Sequence, residues 1–183
     1  TDIDSKIKEA EVYYSMGLLD ESLGAYEKVL TDVAELHDNN QENIQEKIEK
    51  LKKEIALQAE LFDRDRPVLQ IHWGGGTPSY LKNEHIKELL DTIRQNFTLA
   101  SDDDGEFAIE VDPRTVDAGR IHALRELGFN RISFGVQDFN PEVQDAINRL
   151  NSKEQIISVI NAARDAQFKS INIDLMYGLP KQT

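Results

Sequence analysis

The sequence predicts an α/β protein, a parallel sheet with helices between its strands, preceded by an all-helical segment. Three observations carry this expectation. Strand-like runs VLQIHW, EFAIEV, NRISFGV and SINIDLM recur between residues 68 and 176. Helical stretches at 83–96, 115–127, and 141–149 joined to 153–166 lie between them. The resulting β-α-β-α-β-α-β order favours parallel pairing through right-handed crossovers. Each run also ends in polar residues: His72 and a glycine triplet, Glu110 with Asp112, Gln137 with Asp138, and Asp174 with Tyr177 and Gly178. The runs alternate only in part, as expected of strands covered on both faces.

Residues 1 to about 62 read as helical throughout, with 1–50 as a separate segment. Ile3, Ile7, Ala10 and Tyr14 recur at helical spacing, and Gly17 ends that helix. Asp20 is placed to cap the next one, whose apolar face is Leu23, Tyr26, Leu30 and Val33. After the polar stretch HDNNQEN, a third helix points Ile44, Ile48, Leu51, Ile55 and Leu61 one way. The first two helices resemble one tetratricopeptide repeat over residues 3–36, through Ala10, Tyr13, Gly17, Tyr26 and the Val29–Leu30 pair. Ser22 stands where that repeat usually has alanine, and no second copy follows at the repeat period. The same residues equally describe a plain amphipathic hairpin.

Composition limits the partners. The 183 residues carry a formal net charge of −13, a field that repels phosphate and so argues against nucleic acid and anionic membranes. No apolar run approaches the length of a membrane span, and no signal-peptide or lipidation pattern occurs, so a soluble cytoplasmic protein is expected. There is no cysteine, which excludes disulfides, thiolate nucleophiles and cysteine-ligated clusters within these residues.

The strand ends hold the candidate chemistry. Carboxylates set among Ile, Val and Phe are costly to bury unless paired or bound to something. Four successive strands ending this way point to a shared pocket for a small-molecule ligand. The alternative is a structural network of these carboxylates with Arg114, Arg131 and Arg149. The loop HWGGGTPSYL between the first strand and its helix sits where α/β proteins receive ligands, and its glycines leave backbone groups unobstructed. It is neither a Walker A loop, since no Lys-Ser/Thr follows, nor a G-x-G-x-x-G fingerprint. Its carbonyls suit a ligand ammonium, and a strand-end Asp or Glu suits ribose hydroxyls. His72 stays open between ligand contact and a supporting role, whereas Trp73 and Phe134 read as core.

Taken together, HWGGGTPSYL, IEVDPRTVD, LGFNRISFGVQDFNPEVQDAINR and INIDLMYGLPKQT closely resemble the oxygen-independent coproporphyrinogen III oxidases, a radical S-adenosylmethionine (SAM) family. The similarity runs from about Leu51 to Thr183. It implies a partial radical-SAM, TIM-like barrel over 51–183, behind the tetratricopeptide-like segment 1–50. It also implies SAM contacts at Gly75, Gly76, Thr77, Glu110, Gln137, Arg149 and Asp174. The family's reaction is the oxidative decarboxylation of two propionates of coproporphyrinogen III, giving protoporphyrinogen IX in haem synthesis.

One departure is decisive. The family holds a [4Fe-4S] cluster on C-x-x-x-C-x-C, before the helix containing EIALQAELFD. Here that position carries the helical segment and NNQENIQEK, with no cysteine. The resemblance therefore implies a barrel portion that at most retains part of a SAM site and is inactive alone. A partial barrel is further expected to leave open parallel edges and an open apolar core. Self-association through those edges, or capture of a peptide by the N-terminal helices, follows as the non-enzymatic reading.

Overall fold

The structure is a computed structural model that describes residues 7–9, 11–12, 16 and 43–182. The chain divides into two compact units, Thr1–Leu51 and Lys52–Thr183. In the first, residues 7–9, 11–12 and 43–51 are helical and Ile48 is buried. The remainder of the expected hairpin, with the Gly17 stop, the Asp20 cap and the face of Leu23, Tyr26, Leu30 and Val33, lies outside the described residues.

Helix α1 runs over residues 43–59. Ile48 and Ala59 are buried and Ile44 and Ile55 partly so, but Leu51 and Leu61 are exposed, against expectation. At about 100° per residue, Ile44, Ile48, Ile55 and Ala59 fall in one narrow stripe. Leu51 sits at the rim of that stripe, and Leu61 follows the end of the helix.

The second unit is built on four strands: β1 (Gln70–Trp73), β2 (Glu106–Val111), β3 (Arg131–Gln137) and β4 (Ser170–Leu175). All pair parallel, in the order β1-β2-β3-β4. The intervening helices are α2 (Asn83–Asn96), α3 (Ala118–Glu126), α4 (Pro141–Ala146) and α5 (Lys153–Asp165). The first strand is shorter than expected, with Val68 making only an isolated bridge to Leu99. The second crossover helix begins late because Asp112 accepts from the Arg114 N–H and turns Pro113–Thr115 into a 3-10 turn. Asp117 then caps α3 through the Arg120 N–H. The stretch expected as two joined helices breaks at Asn148, whose φ of 54° is left-handed, and restarts where Ser152 caps α5.

The faces of the sheet differ, which corrects the expectation of strands covered alike on both. Along β3 burial alternates strictly, with Ile132, Phe134 and Val136 buried. With Ile109 and Val111 of β2 they join Ile86, Leu90, Ile121, Leu124, Ile156 and Val159 from the helices in one core. Each fully buried side chain of this size stabilises the fold by roughly 1.5–3 kcal/mol. The opposite face carries Gln70 and His72, Glu106, Ala108 and Glu110, Arg131, Ser133 and Gly135, then Ser170, Asn172 and Asp174, brought side by side by the register. It is polar, not the open apolar core expected of a partial barrel. The Gln70 amide and the Arg131 guanidinium both donate to Glu106, at 2.9 Å each, forming one row across three strands.

One polar group lies wholly inside the unit. The Asn130 side chain is 0% exposed, accepts from the Phe107 N–H at 2.8 Å and donates to the Gly105 carbonyl at 2.9 Å. It ties the entry of β3 to the entry of β2. Asn130→Ala strands both backbone groups in the interior, so urea denaturation should find it less stable by about 2 kcal/mol.

Candidate ligand-binding cleft

The glycine loop after β1 has a different reason at each position. A Cβ on Gly74 would lie 2.6 Å from Glu110 Oε1 and 2.7 Å from His72 Nε2. Gly75 has a φ of 81°, which L side chains rarely adopt. Gly76 has nothing within 4 Å of where its Cβ would stand, because it faces open space. Thr77 follows, before the 3-10 turn Pro78–Tyr80.

That open space is a cleft of about 190 Å³ at the C-terminal ends of the strands. Gly76, Thr77, Glu110, Gln137, Arg149 and Asp174 all line it, together with Asp112 and Gly135. Gly75, the remaining residue of the expected set, shapes the loop without lining the cleft. Ligand pockets are typically roughly 300–1,000 Å³, so this cleft is the size of part of one.

Its electrostatics are organised in pairs. Glu110 Oε1 lies 3.0 Å from His72 Nε2 on the polar face. Ser133 Oγ donates to Asp174 Oδ2 at 2.8 Å. Asp112, 7% exposed, accepts from the Arg114 N–H and Nε at 3.0 Å each, from Arg114 Nη2 at 2.7 Å and from Arg149 Nη2 at 2.8 Å. The arginine–carboxylate network expected as an alternative to a pocket is thus one wall of the pocket. Arg131 belongs instead to the Glu106 row, away from it.

Two backbone features aim the donors. Gln137 has a φ of 70° where the β3–β4 register slips between Gly135 and Gln137, a local kink that re-aims its side chain. A Cβ on Gly135 would lie 3.2 Å from Gln137 Nε2, a tight contact, and 3.6 Å from Arg149 Nη2, an ordinary one, so both donors hang over this position. Arg149 itself is set by its N–H donating to the Gln144 carbonyl at 2.8 Å, just after left-handed Asn148. The buried Gln144 side chain bridges the Asp138 carbonyl at 2.7 Å and the Asn151 N–H at 3.1 Å.

Ser133 and Gly135 escaped the sequence reading because both lie inside β3 rather than at its end. The signal was available in strand parity: both share a face with Gln137 and alternate with the apolar Ile132, Phe134 and Val136.

The Radical SAM superfamily model matches residues 33–183, and the chain belongs to that superfamily. Within it, the chain is similar to curated oxygen-independent coproporphyrinogen III oxidases. It is 52% identical over 130 residues to that of Synechocystis sp., covering 71% of this chain and 28% of the relative. It is 49% identical over 136 residues to that of Escherichia coli, covering 74% of this chain and 29% of the relative. The solved E. coli coproporphyrinogen III oxidase (HemN), described as a radical SAM enzyme, superposes with a TM-score of 0.73 at 48% identity, over 78% of this chain and 32% of that one. The chain therefore spans less than a third of the length of these relatives.

The two cofactors the superfamily implies fare differently against these residues. The cleft offers carboxylates, an amide and a guanidinium around a loop free of side chains, a donor set that fits SAM. A [4Fe-4S] cluster does not fit: the 183 residues hold no cysteine, and no group of three His, Cys, Asp or Glu side chains is placed to hold a metal among the described residues.

Burial pushes the Asp112 carboxyl up, but the hydrogen bonds from the Arg114 side chain and N–H, with the charges of Arg149 and Arg114, hold it below its ordinary value of 3.8. A lowered folded pKa contributes stability that is present above the unfolded value and lost as pH falls through the folded one. The stability gap between wild type and Asp112→Asn, measured by denaturation across pH, should be constant near neutrality and close below about pH 4.

Proposed function

We propose that the strand-end cleft binds SAM, and that Glu110, Gln137, Arg149, Asp174 and the Gly75-Gly76-Thr77 loop are its contacts. The carrying observation is that six of these seven residues, drawn from all four strand ends and the loop after α4, line one cleft. Charge supports the same reading. Glu110, Asp112 and Asp174 with Arg114 and Arg149 leave one net negative charge at neutral pH. SAM, with a sulfonium, an ammonium and a carboxylate, carries one net positive charge.

SAM supplies a sulfonium-activated adenosyl group when bound. The chain's own residues do the holding. Asp174, fixed by Ser133, accepts from ribose hydroxyls. Carbonyls of the glycine loop and the Glu110 carboxylate accept from the ammonium. Reductive cleavage of SAM, and with it decarboxylation of coproporphyrinogen III, needs thiolate-held iron that these residues do not offer. These residues alone are thus a SAM-binding unit of the coproporphyrinogen oxidase type, inactive by themselves.

The free sheet edges support self-association as well. Among the described residues β1 and β4 are edge strands, and Ile173 and Leu175 of β4 are 42% and 60% exposed. The β1 edge of a second copy would continue the same parallel order beyond β4. Sedimentation velocity should find concentration-dependent association that Leu175→Lys abolishes.

Calorimetric titration should give saturable SAM binding, weakened about tenfold or more in Asp174→Ala. A folded wild type that takes up no SAM would sink the reading.

A further inference from the structure

We infer that Asp112 is the positioning residue that makes Arg149 available to a ligand carboxylate, an inference that rests on the cleft being a SAM site. Arg149 is the cation lining the cleft, and three carboxylates line it too: Asp112, which Arg149 bonds, and Glu110 and Asp174. Left to itself, a long guanidinium beside two anions would swing onto one of them and close the cleft. Asp112 prevents this with a single bond, taking Arg149 Nη2 at 2.8 Å and holding that nitrogen over Gly135.

The division of labour between the two arginines is unequal. Arg114 is spent: Nε and Nη2 go to Asp112, and Nη1 donates to the Asn148 carbonyl at 2.9 Å. Arg114 thereby balances the charge of Asp112. Arg149 gives Asp112 one N–H, and a guanidinium has five, arranged as a fork suited to a carboxylate. The surplus positive charge of the triad therefore sits on Arg149, on the cleft side. Across from it, the accepting groups Glu110 and Asp174 are each anchored by a separate neighbour, His72 and Ser133. Apart from the Arg149–Asp112 pair, the cleft thus has separate anchors for its cation and for Glu110 and Asp174, as a zwitterionic amino-acid ligand end requires.

The test compares SAM with decarboxylated SAM, which lacks only the carboxylate, and follows the Arg149 Nε–H resonance in ligand-free protein, assigned by its loss in Arg149→Gln. Wild type should bind SAM about tenfold or more tighter than the decarboxylated form. Asp112→Asn should erase that preference and shift the Arg149 resonance before any ligand is added. Should Asp112→Asn fail to fold, Asp112→Glu, which keeps the charge but displaces it, makes the same comparison. An unmoved Arg149 resonance, or a preference that survives in the folded variant, overturns the inference. If wild type binds neither ligand, the SAM reading falls, while the ligand-free resonance still decides whether Asp112 positions Arg149.

Discussion

The second unit depends on the two-residue repeat of its strands. Because successive side chains point to opposite faces, one sequence such as RISFGVQ can bury Ile132, Phe134 and Val136 against helices while holding Arg131, Ser133, Gly135 and Gln137 on the other side. Hydrophobic burial fixes the register of the two central strands, β2 and β3, since a slip of one residue would place Arg131 or Ser133 in the core. The polar face then has its geometry fixed by the apolar one. Glu110 meets His72, and Ser133 meets Asp174, because Ile109, Phe134 and their neighbours pack where they do.

How a carboxylate survives in such a place is shown by comparing Asp112 with Asp174. Asp112 is buried beside Val111 and Pro113 and takes its compensation from two guanidiniums and a backbone N–H. Asp174 stays exposed and takes one hydroxyl bond. The first has its accepting capacity filled from within the protein. The second keeps accepting capacity for something outside it. Two aspartates at equivalent strand ends thus serve different ends, and only their neighbours distinguish them.

Much of this was legible in the sequence, and the misses have identifiable causes. EFAIEV read correctly as a strand because β-branched and aromatic residues dominate it, and NEHIKELLDTIRQN as a helix because its apolar residues recur at helical spacing. The two helices α4 and α5 were both expected, but α4 ends three residues early, at Ala146, because Asn148 turns left-handed, which asparagine adopts without announcing it. Leu51 and Leu61 were assigned to a buried face, but Leu51 sits at its rim and Leu61 lies beyond the end of α1. At the cleft, residues of the glycine loop and the strand ends were found, neutral Thr77 and Gln137 among them, whereas Ser133 and Gly135 lie inside β3 and act through where the register sets them. The polar face was misjudged as apolar because the barrel class, rather than parity along each strand, guided that expectation.

The order of the strands has a consequence for how this unit comes into being. Each strand pairs with the one made immediately before it, so β2 can dock on β1, β3 on β2 and β4 on β3 as the chain leaves the ribosome. No strand has to wait for a distant partner, which keeps loop-closure entropy small at every step. Growth is also one-sided, with each new strand joining at the edge its predecessor left open. A cleft assembled from consecutive strand ends is therefore completed in order of synthesis, and Asp174, contributed by the last of the four, comes to a site whose other walls already stand.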